Sequence, residues 1–110
     1  MICRQWNNLA HKLMQRAPLA LDWPSARTLR VLRGHTYAVS SCAFAPDGNT
    51  LVTTSQDETA RVWCTRDWSH LHTLTGHTNW VWSCTFAPNG STLVTTSYDG
   101  TSRVWFDDQI

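Results

Sequence analysis

Two sets of side chains carry the residue types of a hydrolytic site. His35, Ser55, Asp57 and Trp63 form one set. His77, Ser97, Asp99 and Trp105 form the other, each forty-two positions after its counterpart. In a nucleophilic triad the imidazole takes the serine proton and the carboxylate orients the ring. Such a site needs one exposed serine beside an oxyanion hole, and it occurs once. Here the trio occurs twice, in register with a strand pattern, and neither serine sits in a Gly-x-Ser-x-Gly elbow. The residues therefore read as buried polar groups that satisfy one another, and the chain is expected not to be an enzyme.

The four cysteines offer a second chemistry. No Cys-x-x-Cys pair exists, and Cys42 and Cys84 hold the same position in successive units. Facing sheets lie about 10 Å apart, whereas a disulfide needs Cα atoms within about 7 Å. Cys42 and Cys64 would be separated by an intervening strand. Reduced thiols buried as small apolar residues are expected, with no metal and no cofactor, which suits a cytoplasmic setting.

The element that must position these residues is a duplication. Residues 34–63 return without a gap as residues 76–105, with 21 of 30 positions identical. A repeat of this length implies stacked units, each unable to bury its apolar surface alone. Within the unit, residues 39–45 form an apolar run ended by Pro46-Asp47-Gly48-Asn49. There proline fixes φ and glycine tolerates the positive value that a reversal requires. The β-branched run 51–55, a second turn at Gln56-Asp57-Glu58, and the run 60–64 with Val62 and Trp63 follow as strands. A fourth run, residues 71–75, precedes Gly76-His77. Four antiparallel strands every forty-odd residues describe one propeller blade.

On both Gly-His pairs, both turn aspartates and both strand-ending tryptophans, the chain resembles the WD-repeat β-propeller family. The resemblance implies a hydrogen-bonded tetrad in each blade, made of His35, Ser55, Asp57 and Trp63, then His77, Ser97, Asp99 and Trp105. The aspartate of the family's name is replaced by Cys64 and Phe106. The tetrad does not use that position. The implied fold is all-β, two four-stranded antiparallel blades of an incomplete propeller with a short N-terminal helix, and the implied role is a non-catalytic scaffold for other proteins.

Around the duplication the signals are weaker. Nine Lys and Arg against eight Asp and Glu give a net charge of +1, and the basic residues are scattered. No nucleic-acid partner is expected. In residues 5–17 the apolar positions Trp6, Leu9, Ala10, Leu13, Met14 and Ala17 recur at helical spacing before Pro18, so an amphipathic helix is predicted. No apolar run is long enough for a membrane span. Residues 1–27 are read as helix and linker and residues 28–110 as two blades: a leading outer strand at 28–33, a first blade over 34–75, and a second over 76–110 without its outer strand.

A propeller needs about four to eight blades, so the two here must find company. Two arrangements would supply it. Either the chain is part of a larger propeller, the reading preferred here, or three or four copies assemble head to tail as a homo-trimer or homo-tetramer. An accessory segment of a larger signalling enzyme is a further reading. Positions that differ between the units are the candidates for protein binding: Tyr37, Gln56 and Glu58 in the first, Asn79, Trp80 and Tyr98 in the second. Trp80 and Tyr98 are rigid anchors of the kind that dominate binding energy. Trp82, on a strand, reads equally as filler between blades.

Overall fold

The computed structural model describes residues 26–106 and Ile110. The predicted helix at residues 5–17 lies outside them. Seven strands are formed: β1 Val39–Phe44, β2 Thr50–Ser55, β3 Ala60–Cys64, β4 His70–Leu74, β5 Val81–Phe86, β6 Thr92–Ser97 and β7 Ser102–Phe106. They make two antiparallel sheets, ordered β1-β2-β3-β4 and β5-β6-β7.

The turn chemistry explains the reversals. Gly48 adopts φ of 76° and its N–H closes the β1–β2 turn on the Ala45 carbonyl at 2.8 Å, while the Asp47 carboxylate accepts the Asn49 N–H at 2.9 Å. At the β2–β3 turn the Asp57 carboxylate accepts the Thr59 N–H at 2.9 Å. The ladders then repeat with the sequence. Phe44 pairs with Leu51 and Leu51 with Trp63 in the first sheet, and Phe86 pairs with Leu93 and Leu93 with Trp105 in the second. A register shift between Val39 and Ser41 recurs between Val81 and Ser83.

The core lies between the two sheets. Val52, Ala60, Val62 and Leu74 of the first blade meet Cys84 and Leu93 of the second, with Ala43, Phe86, Trp105 and Ile110 packed around them. Complete burial of side chains such as Val52, Val62 and Leu93 contributes about 1.5 to 3 kcal/mol each. Ser40 ties the blades together by donating its hydroxyl proton across the gap to the Val81 carbonyl at 2.6 Å.

Equivalent residues have opposite fates on the outer faces. Val81 is 0% exposed because blade 1 covers it, while its counterpart Val39 is 56% exposed; Val62 is 0% exposed and its counterpart Val104 is 56% exposed. The same residue in the same strand is core or surface according to whether a sheet stacks on it. Val39 of blade 1 and Val104 of blade 2 are thus left uncovered on the two outer sides of the pair, although Leu51 on the outer side of blade 1 is buried.

Two expectations about the cysteines need correction, and residues 28–33, read as a leading outer strand, join neither sheet among the described residues. Leu29 and Leu32 instead line, with Leu51 and Trp68, a hollow of about 400 Å³. Among the described cysteines only Cys84 is a buried free thiol; Cys42 is free but exposed. Cys64 is buried and disulfide-bonded, so spacing within the repeat did not decide its pairing.

Candidate functional site

Each Gly-His pair begins a network that runs across its blade. Gly34 has φ of +146°, and a Cβ there would lie 2.5 Å from a guanidinium nitrogen of Arg61, so only glycine lets the chain pass. The turn aims His35 at the sheet. Its Nδ1 lies 2.8 Å from Asp57 Oδ2, and its Nε2 lies 2.8 Å from the Thr53 hydroxyl, which also accepts the Trp63 indole N–H at 3.0 Å. Trp63 can only donate and Thr53 carries one proton. An assignment that satisfies each group has indole donating to threonine, threonine to Nε2, and Nδ1–H to the aspartate. The second blade repeats this: His77 contacts Asp99 at 2.9 Å and Thr95 at 2.8 Å, and Trp105 donates to Thr95 at 3.0 Å.

The hydroxyl in each network is therefore Thr53 or Thr95, not Ser55 or Ser97. Ser55 has a different task. It is buried, accepts the Asp57 N–H at 3.0 Å and donates to the Tyr37 carbonyl at 3.3 Å, holding the β2–β3 turn. Ser97 does the same with Asp99 and Asn79. Alternation along a strand places residues 53 and 55 on one face, so parity cannot separate them. Ladder position does: Thr53 pairs with Arg61, one face position from Trp63, and Ser55 stands about 7 Å farther on.

The carboxylates are held in their charged form. Burial pushes the Asp57 carboxyl up, but hydrogen bonds from the Thr59 hydroxyl, His35 and the Thr36 and Thr59 N–H groups outweigh it and leave the group below its ordinary range. At Asp99 the Thr101 hydroxyl is the largest influence. It acts with His77 and two backbone N–H groups against some desolvation, and the carboxyl lies far below the usual value. Arg61 and Arg103 cover the tryptophans, each guanidinium carbon 5.9 Å from its indole centroid. In the second blade Arg103 also donates to the Gly76 carbonyl at 3.1 Å.

An aspartate, a histidine and a hydroxyl in line have the connectivity of a triad. Here, however, the Thr53 and Thr95 hydroxyls are buried and capped by an indole N–H, so no substrate atom can reach them. The network braces the turn, the loop before the first strand and the third strand against one another.

The positions that differ between the repeats lie outside this brace. Tyr37, Glu58 and Asn79 are exposed and Gln56 is half-buried. Trp80 and Tyr98 are brought together, 46% and 63% exposed, in an edge-to-face contact with centroids 5.7 Å apart. The Tyr98 N–H donates to the Trp80 carbonyl at 2.9 Å, fixing the two loops together. Trp82 joins them, 52% exposed and 6.0 Å from Tyr98, so it does not fill the gap between the two blades. The corresponding residues of the first blade are Ala38, Gln56 and Ser40, and no aromatic cluster forms there. The residues that sequence reasoning missed are Thr53, Thr95, Arg61 and Arg103. Their identity between the repeats was the one available signal.

Comparison with known proteins agrees with this geometry. The family model described as WD domain, G-beta repeat, matches residues 26–64 and 68–105. Over 49 residues the chain is 47% identical to Transcription initiation factor TFIID subunit 5 of Drosophila melanogaster, a match covering 44% of the chain and 7% of that protein. It is 42% identical over 53 residues to the B-type cell cycle switch protein ccs52A of Medicago truncatula, covering 48% of the chain and 11% of that protein. The chain thus spans only a small part of the relatives it matches. Among solved structures, that of U3-55K superposes with a TM-score of 0.69 over 72% of the chain and 26% of its own length, at 21% identity, a likeness of fold.

Proposed function

Because the chain belongs to the WD-repeat family, we propose that it is a non-catalytic scaffold segment that binds other proteins through the rim formed by Trp80, Tyr98 and Trp82. The single observation that carries this reading is the aromatic cluster itself. Two tryptophans are held against Tyr98 at the surface of one blade, where the other blade has alanine, glutamine and serine. Aromatic side chains fixed by backbone hydrogen bonds lose little entropy on binding and give large contact area, which is why they dominate hot spots. The absence of catalysis is supported by the closed networks, since among the described residues the hydroxyls that meet a histidine and an aspartate in line are capped. That TFIID subunit 5 is by its name a component of a larger assembly is in keeping with such a role.

Trp80→Ala tests the reading. Proximity labelling with wild-type and variant chains should show partners lost together, with affinity reduced about 30-fold or more, the effect of truncating a hot-spot tryptophan. Circular dichroism should be unchanged. Unaltered binding would remove the rim from consideration, and loss of fold would return Trp80 to a structural role.

A further inference from the structure

We propose that Asn89 is a site of spontaneous deamidation, held unreactive while the β5–β6 turn is closed and released when that turn opens. Asparagine followed by glycine is the pair in which this chemistry is fastest, because glycine has no Cβ to shield its backbone nitrogen. Asn89-Gly90 is the one such pair in the sequence, since Asn49 is followed by threonine and Asn79 by tryptophan. The reaction needs only water. The Gly90 nitrogen gives its proton to solvent and bonds to the side-chain carbonyl carbon of Asn89, and the side-chain nitrogen departs as ammonia, closing a cyclic imide. Water then breaks one of the two bonds from the imide nitrogen to a carbonyl carbon. Cleavage at the side-chain carbonyl leaves aspartate in a normal backbone, whereas cleavage at the main-chain carbonyl leaves isoaspartate, with the chain routed through the former side chain. In sum an amide and water become an acid and ammonia, with no change of oxidation state.

In the closed turn both reacting groups are engaged. Gly90 stands at φ of 75°, and its N–H, the nucleophile, is donated to the Ala87 carbonyl at 2.9 Å. Asn89 Oδ1 accepts the Ser91 N–H at 2.9 Å and the Ser91 hydroxyl at 2.8 Å. Attack requires the Gly90 nitrogen to leave Ala87 and the amide to turn away from Ser91, so local opening comes first. These three bonds, each worth about two- to tenfold, hold the reaction back by about tenfold or more. Asn89 and Ser91 are exposed, so water is at hand once the turn opens.

The first blade shows how each product is received. At the equivalent position stands Asp47, whose carboxylate accepts the Asn49 N–H at 2.9 Å while the Gly48 N–H bonds to the Ala45 carbonyl at 2.8 Å. Aspartate at position 89 therefore keeps the turn. Isoaspartate does not, because its extra backbone carbon displaces Gly90, which lies so near Pro46 of the first blade that an added Cβ would meet the proline Cδ at 3.5 Å. The β1–β2 and β5–β6 turns touch at this point, so isoaspartate loosens one blade from the other.

Mass spectrometry of the peptide containing Asn89 tests this, on the full chain incubated in mildly alkaline buffer with and without denaturing guanidinium chloride. The unfolded chain should convert about tenfold faster or more, giving both acids, with isoaspartate identified by isoaspartyl methyltransferase labelling. Ser91→Ala should speed conversion in the folded chain and leave the rate in denaturant unchanged, while Ser91→Thr should behave as the parent. Hydrogen exchange of the Gly90 N–H should track the folded rate across these variants, since each event needs the Ala87 bond broken. Asn89→Asp should unfold at the parent's denaturant midpoint and isoaspartate-rich chain at a lower one. Equal rates with and without denaturant, in a chain whose circular dichroism shows its strands in buffer, overturn the proposal. So does conversion of Asn49 or Asn79 in denaturant as fast as that of Asn89.

Discussion

Thr53→Val should cost far more stability than Ser55→Ala, although both remove one hydroxyl from the same face of β2. Valine keeps the shape of the Thr53 side chain but leaves the Trp63 indole N–H without its acceptor at 3.0 Å and His35 Nε2 without its donor at 2.8 Å. Trp63 and the His35 side chain are both buried, 5% exposed in each case. A buried group left unpaired costs about 1 to 3 kcal/mol, so the two together cost about 2 to 6 kcal/mol. Ser55→Ala frees only the Asp57 N–H, in a half-buried turn, and gives up a long bond to the Tyr37 carbonyl, for about 0.5 to 1.5 kcal/mol. Against the roughly 5 to 15 kcal/mol that a folded domain has in total, the first change is severe and the second tolerable. Urea unfolding at one protein concentration, followed by tryptophan fluorescence and circular dichroism, gives both values, with equal slopes required for comparison. If Ser55→Ala proves as costly as Thr53→Val, the threonine does not link histidine to tryptophan, and the account of the brace is wrong.

The acid limb should belong to the turn aspartates. Asp57 and Asp99 titrate lower folded than unfolded, so their contribution is fully present above about pH 4, the unfolded value, and is lost as pH falls through the folded ones. Urea midpoints measured between about pH 6 and 2 should fall in that lower window, and Asp57→Asn with Asp99→Asn should flatten the slope; an unchanged slope would contradict the hydrogen-bonded carboxylates. Glu58 stands at φ of 74° where the second blade has Gly100 at 86°, so Glu58→Gly should raise the urea midpoint by up to about 1 kcal/mol in stability. Gly34→Ala should destabilise by about 1 to 3 kcal/mol. Part of that cost should vanish when Arg61, the group in its way, is also cut to alanine, which a double-mutant cycle reads directly.

The sequence by itself determined the unit. The identical spacing of Gly-His, Pro-x-Gly, turn aspartate and terminal tryptophan places the strands, since proline, glycine and β-branched residues act over a few neighbours. It also places His35, Asp57 and Trp63 within reach of one another. What it could not decide were matters of distance across the sheet and of what lies on top of it. Thr53 and Ser55 have the same parity and similar chemistry, and only the ladder register puts the threonine beside the indole. Val39 and Val81 are the same residue in the same strand, yet one is surface and the other core. Residues 28–33 have the pattern of an outer strand but join neither described sheet, and Cys64 found a bond that repeat spacing did not announce. A local pattern specifies a strand, whereas burial and pairing depend on the neighbouring sheet, and that neighbour is set by tertiary stacking.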